Sequence, residues 1–166
     1  MLLTATSMAE LDFPALMEVY LEGNLENGAD RWPGESQWRQ LQLAEEAFRD
    51  YLRQDFFSVP GAVYCLWQEG NRYVSALRLE PYKDGLLLEA LETRPDARRR
   101  GYAGMLIREV QSRVAGTLYS HVHKGNAASL AVHRQCGFRR ISEIAVYIDG
   151  SVNDRCCTLR YTGEGK

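Results

Sequence analysis

The chain has 166 residues, 45% hydrophobic and 25% charged, the size and balance of one globular domain with a single substantial core, and no repeat, low-complexity tract or linker divides it. Nowhere does an apolar run approach the roughly 18 residues that span a bilayer, and Met1-Leu2-Leu3 leads into polar residues instead of a signal-peptide core, so a cytoplasmic protein without a membrane partner is expected. The net charge of −2 is unevenly spread: residues 1–60 hold eleven acids against four arginines, a balance of −7, which leaves +5 for the remainder.

Such asymmetry points to an anionic ligand on the second half. On the acidic half, a cationic ligand and a merely solvated surface explain the charge equally well. The four cysteines, Cys65, Cys136, Cys156 and Cys157, show no CxxC spacing, which excludes a disulfide framework or zinc site and leaves buried free thiols.

Residues 1–5 supply a short first strand. Leu11, Phe13, Leu16, Met17, Tyr20 and Leu21 recur at helical spacing, with Pro14 tolerated in the first turn. Asn27-Gly28-Ala29-Asp30 and Pro33-Gly34 predict a loop carrying Trp32, and Trp38, Leu41, Ala44, Phe48, Tyr51 and Leu52 form the apolar stripe of a second helix over about 36–53. The period then changes to that of strands over 62–67, 73–79 and 86–93, a meander joined by Glu69-Gly70-Asn71 and by Pro81-Tyr82-Lys83-Asp84-Gly85. Ala103, Leu106, Ile107, Val110 and Val114 mark a helix, and residues 117–122 a strand that should run parallel to 86–93. A helix from Asn126, a good N-cap, to Cys136-Gly137 follows, and residues 141–148 and 156–161 complete an antiparallel pair.

The most informative stretch joins the strand at 86–93 to the next helix through Arg94-Pro95-Asp96-Ala97-Arg98-Arg99-Arg100-Gly101-Tyr102-Ala103-Gly104. A strand, a tight basic turn and a helix start line up free backbone N–H groups at a positive dipole end, which suits a phosphate. Gly101 and Ala103 remove bulk where backbone must approach a diphosphate, Gly104 keeps the helix start open, and three arginines add charge. A solvated loop or a nucleic-acid patch is the alternative use of the arginines. A dinucleotide fold is excluded, because there is no GxGxxG and the leading strands are antiparallel.

Arg98-Arg99-Arg100-Gly101-Tyr102-Ala103 with Pro95 before it, and the segment from Asn126 to Gly137-Phe138, resemble the GNAT-type N-acetyltransferase superfamily, as does the order of elements. The resemblance implies an α/β (α+β) single domain over 1–166, with a mixed, mostly antiparallel sheet of about seven strands flanked by about four helices. It implies acetyl-CoA as co-substrate, no metal, and an amine acceptor. Leu91, Thr93, Arg98, Arg99, Arg100, Gly101, Tyr102, Ala103, Gly104 and Asn126 would bind the CoA, with an N–H near Glu92 facing the thioester oxygen.

At His133 the chain departs from the family's pattern, where many members carry a tyrosine that protonates the departing thiolate; an imidazolium can do the same. For the general base, Glu92, Glu89, His121 and His123 remain open, with His121 or Glu92 favoured as catalytic. The acceptor pocket is expected from the first two helices, with Trp32 and Tyr20 as substrate-binding residues beside Trp38 and Tyr51. Cys136 has no activating base near it in sequence and is read as packing. The expected activity is acetyl transfer to a small cationic or peptide amine by direct attack in a ternary complex. A non-catalytic CoA-binding sensor or interaction module is the alternative; nucleic acid is disfavoured as a partner by the negative charge, and a homodimer is left open.

Overall fold

Residues 1–163 are described by a computed structural model. The chain begins with β1 (Leu2–Ala5) and three helices, α1 (Phe13–Val19), α2 (Leu21–Arg31) and α3 (Gln37–Gln54). A meander follows, β2 (Val63–Glu69), β3 (Arg72–Tyr82) and β4 (Gly85–Thr93), then α4 (Tyr102–Arg113), β5 (Thr117–His123) and α5 (Ala127–Gln135). The C-terminal part comprises β6 (Arg139–Ser142), a small hairpin of β7 (Ala145–Val146) and β8 (Val152–Asn153), and β9 (Cys156–Thr162). Seven strands form one sheet in the order β1-β2-β3-β4-β5-β9-β6, and every pair in it is antiparallel except β4 with β5. That is the mixed, mostly antiparallel sheet expected, with five α-helices where about four were expected.

Alternation along β2 divides the interior, since successive side chains of a strand point to opposite faces. Tyr64 and Leu66 join Leu16, Tyr20, Leu52 and Phe56 in a core under α1 to α3, whereas Cys65 joins Leu106, Ile107, Val110 and Leu118 under α4 and α5. Capping is local and legible: Asp12, Ser36 and Asn126 accept hydrogen bonds from the N–H groups of Ala15, Arg39 and Ser129. All four cysteines are free and buried. Among the described residues, no helix is long and apolar enough to cross a membrane.

Two expectations need correction. The loop expected over 27–30 is helical, because α2 runs to Arg31 and packs against α3. Gly28 acts there as a contact residue instead of a breaker: a Cβ on it would stand 2.6 Å from the Gln40 carbonyl oxygen. The strand expected over 141–148 divides. β6 stops at Ser142, whose Oγ accepts from the Ile144 N–H, while the Thr158 hydroxyl donates to the Ile144 carbonyl. These side chains take the backbone groups a ladder would use, and Ala145–Val146 turns away to pair with Val152–Asn153.

Candidate functional site

The parallel pair at the centre of the sheet is incomplete. β4 and β5 are in register from Gly85 opposite Thr117 to Leu88 opposite Ser120, and part there, although β4 continues to Thr93 and β5 to His123. The cause lies on the other side of β4, where the pairing with β3 slips between Ala76 and Arg78 and Ala90 takes a left-handed φ of 49°. A bulge of this kind bends its strand. The Tyr20 hydroxyl donates to the Ala90 carbonyl at 2.6 Å and holds the bend. Tyr20, a sequence candidate for acceptor binding, is thus a buried brace for the strand.

Beside the parting lies a cavity of about 380 Å³ lined by the end of β4, the turn before α4 and the start of α5. It gathers Leu91, Glu92, Thr93, Arg98, Arg99, Gly101, Tyr102, Ala103, Gly104 and Asn126, nearly the whole set read from the sequence, while Arg100 is exposed and outside the lining. Gly101 has φ 82°, the left-handed N-cap of α4, and the first helical bond runs from the Met105 N–H to its carbonyl. The N–H groups of Tyr102, Ala103 and Gly104 therefore lack intrahelical acceptors at the positive end of the dipole. A Cβ on Gly101 would meet no protein atom within 4 Å, so the space beside it is open to a ligand. Among the described residues no cluster of three or more metal-ligating side chains occurs.

Arg98 lines the cavity and also carries ion pairs that the sequence did not reveal. Its Nη2 pairs with Glu22 at 2.6 Å and with Glu92 at 3.2 Å, and its Nε donates to the Thr93 carbonyl, so it ties α2 to the end of β4. Arg94 pairs likewise with Glu18 and Asp96, and Arg72 reaches Asp96 at 2.6 Å. Hydrogen bonds from Arg94 and then Arg72 hold the Asp96 carboxyl at about 2, below its ordinary 3.8. A depressed carboxylate stabilises the fold above its unfolded pKa, and the contribution fades as pH falls through the folded value. Asp96→Asn should therefore lower the urea midpoint at neutral pH, with the deficit shrinking as pH falls from 3.8 to about 2. A deficit constant with pH would contradict the link.

The candidate bases are dispersed. Glu92 lines the cavity, but its Oε1 is engaged by Arg98 and by the Thr93 N–H. His121 lies on the opposite face, edge-on to Tyr82 and Tyr147, with Nε2 donating to the Val146 carbonyl at 3.1 Å and Nδ1 at 3.0 Å from the Thr158 hydroxyl. Nε2 thus straps the β7–β8 hairpin to β5, while Nδ1 faces β9, and burial pushes the imidazole below its usual range. His123 is exposed, and its Nδ1 accepts from the Gly125 N–H. His133 is only 1% exposed, stacks edge-on against Phe138 and is not part of the cavity wall. Its Nδ1 lies 2.8 Å from the Ser129 carbonyl, which only accepts, so Nδ1 carries the proton and the unpartnered Nε2 of the neutral ring bears a lone pair. Burial pushes this imidazole down too. Trp32 caps the end of α2 beneath the Arg31 guanidinium, and Trp38 is 68% exposed; neither lines the cavity.

Sequence reasoning named Glu89 among the candidate bases but passed over Arg78 and Glu80, its polar neighbours on the α1–α3 face at the level of the parting. Arg78 is opposite Glu89, and Glu80 follows two residues along β3. The Arg78 guanidinium lies over the rings of Tyr51 and Phe56, with Nη2 3.9 Å from Glu89. The signal was present: Arg78, Glu80 and Tyr82 alternate, which in a sequence looks like a strand's solvent face.

A model of the acetyltransferase (GNAT) family matches residues 25–138. No curated protein sequence matches the chain. Solved structures similar in fold include the ribosomal-protein-S18-alanine N-acetyltransferase of Escherichia coli, at 17% identity over 100% of this chain and 96% of that one, TM-score 0.59. The PaiA N-acetyltransferase of Thermoplasma acidophilum in complex with coenzyme A is 12% identical over 98% and 99%, TM-score 0.63. The spermidine N-acetyltransferase of Vibrio cholerae, with CoA and spermine, is 13% identical over 98% and 95%, TM-score 0.61.

Proposed function

The chain belongs to the acetyltransferase (GNAT) family, and from that premise we propose that it moves the acetyl group of acetyl-CoA to a primary amine, a small cationic amine or a peptide amine, by direct attack in a ternary complex. The observation that carries this reading is the parting of β4 and β5 after Leu88 and Ser120, with the cavity beside it and a carboxylate, Glu89, on the α1–α3 face at the same level. Donor and acceptor can meet through such a slot from opposite faces. Structures of the same fold named for acting on an alanine of a ribosomal protein and on spermidine, both amines, support the acceptor class.

Bound acetyl-CoA supplies an activated thioester carbonyl. The N–H groups at the start of α4 fit its diphosphate, and the backbone of Leu91 to Thr93 fits the pantetheine arm. An N–H near Glu92 facing the carbonyl oxygen would be worth about 3–4 kcal/mol in the transition state. An amine attacks only when neutral, so an ammonium must first give up a proton. Glu89 is the best placed acceptor for it: it adjoins the parting, its side chain is 21% exposed and its contact with Arg78 is long at 3.9 Å, whereas Glu92 is held at 3.2 Å by Arg98 and His121 at 3.1 Å by the Val146 carbonyl.

The departing thiolate is an alkyl thiolate, at least as basic as a cysteine thiolate with its pKa of about 8.5, so solvent can protonate it. The buried His133 ring, with only a lone pair free, suits acceptance of a hydrogen bond better than donation of a proton. His133→Phe is accordingly expected to lower kcat by less than about threefold, and a loss of about 100-fold would restore it as the acid.

The reading is tested by titrating the protein with acetyl-CoA in a calorimeter and then following free thiol with a panel of monoamines, polyamines and peptides. Binding followed by amine-dependent CoA release is expected. Binding without release on any amine would favour a CoA sensor.

A further inference from the structure

Glu80 is a buried carboxyl that the mechanism so far leaves unused. It is 8% exposed, on β3, and opposite Leu87, so it lies diagonally across the strand pair from Glu89, a separation long side chains bridge. Two ionised carboxylates have only acceptors to offer each other, so direct contact within the pair requires a shared proton.

The surroundings decide how many protons the pair holds. Arg78 brings one positive charge to it, fixed between Tyr51 and Phe56 with Nη2 3.9 Å from Glu89. One negative charge on the pair is balanced by that cation, while a second would be buried without a partner. Tyr51 from α3, Tyr147 from the hairpin and His121 from β5 complete the environment, and burial pushes the His121 imidazole down. Burial and the neighbouring Glu89 charge raise the Glu80 carboxyl, so Glu80 is the member that holds the proton.

We propose that Glu80 is a positioning residue for the acceptor-side base: it stays protonated, donates its hydrogen bond to Glu89, and so sets the pH at which Glu89 can take the ammonium proton. The inference rests on the amine-acetyltransferase reading above. In the step itself an N–H bond of the ammonium breaks, its electron pair stays on nitrogen, and the proton joins a Glu89 carboxylate oxygen. Being partly exposed, Glu89 returns that proton to water after the acyl group has moved.

Glutamine at position 80 mimics the protonated carboxyl, whereas leucine fills the space and removes the donor. With one amine acceptor throughout, Glu80→Gln should keep kcat/KM within about threefold of wild type, while Glu80→Leu should move the acid limb of the kcat/KM profile to higher pH by about one unit, the direction expected when an ionised carboxylate loses a donor. Glu89→Gln should lower kcat about 100-fold or more at unchanged CoA affinity. An infrared protonated-carboxyl band at neutral pH, present in wild type and lost in Glu80→Gln, reads the proton without any activity. If Glu89→Gln turns over like wild type, the reading of Glu89 fails and this inference with it. If Glu89→Gln is inactive but the leucine and glutamine variants at 80 share the wild-type profile, or the infrared band is absent from wild type, the inference alone is overturned.

Discussion

Gly101→Val should abolish CoA binding while leaving a folded protein. The residue holds φ 82° at the N-cap of α4, a conformation that costs a side-chain-bearing residue about 1–2 kcal/mol. No protein atom lies within 4 Å of where its Cβ would be, so the fold meets no other penalty. The bulk would instead stand where a diphosphate must approach the N–H groups of Tyr102, Ala103 and Gly104. Hydrogen bonds to charged groups are worth about 1.5–3 kcal/mol each, so losing two lowers affinity by about 100-fold or more. Calorimetry with CoA measures it, with thermal unfolding as the control for the fold. An affinity within about threefold of wild type would remove the cradle from the site.

Gly85→Ala is expected to have the largest effect on stability. A Cβ there would lie 2.0 Å from the Thr117 carbonyl oxygen and 2.8 Å from its carbon, both backbone atoms of the neighbouring strand. No side-chain rotation relieves such a clash, so β4 and β5 must separate where their pairing begins. The expected cost is more than about 3 kcal/mol, read as a large fall in Tm or as failure to fold. Because the slot opens only after Leu88 and Ser120, its shape depends on the closed end at Gly85, and a folded variant should also bind CoA poorly. A variant within about 1 kcal/mol of wild type would contradict this packing.

What was legible in the sequence was local. The strand, the turn with Gly101 and the helix start could be read because they occupy one short stretch, and Asn126 announced its helix because an N-cap acts on its own third neighbour. Parallel pairing of β4 with β5 followed from the intervening helix. Contacts between distant segments were not legible. Arg98 counted as phosphate charge in sequence, and its pairing with Glu22, far back in the chain, left no local sign. Gly28 read as a breaker because nothing local reveals that α3 passes against it. The alternation of Arg78, Glu80 and Tyr82 is the pattern of an exposed face until α3 and the hairpin cover it, and His133 gave no local sign of being buried with its Nδ1–H already committed.

The most direct test of amine acetylation in a ternary complex is initial-velocity kinetics with acetyl-CoA and the best amine varied together, with mass spectrometry of the protein and of the amine product. Intersecting reciprocal plots, an acetylated amine and a protein that gains no acetyl group are predicted. Parallel plots with an acetylated protein, or CoA binding with no amine acetylated at any pH, would contradict it.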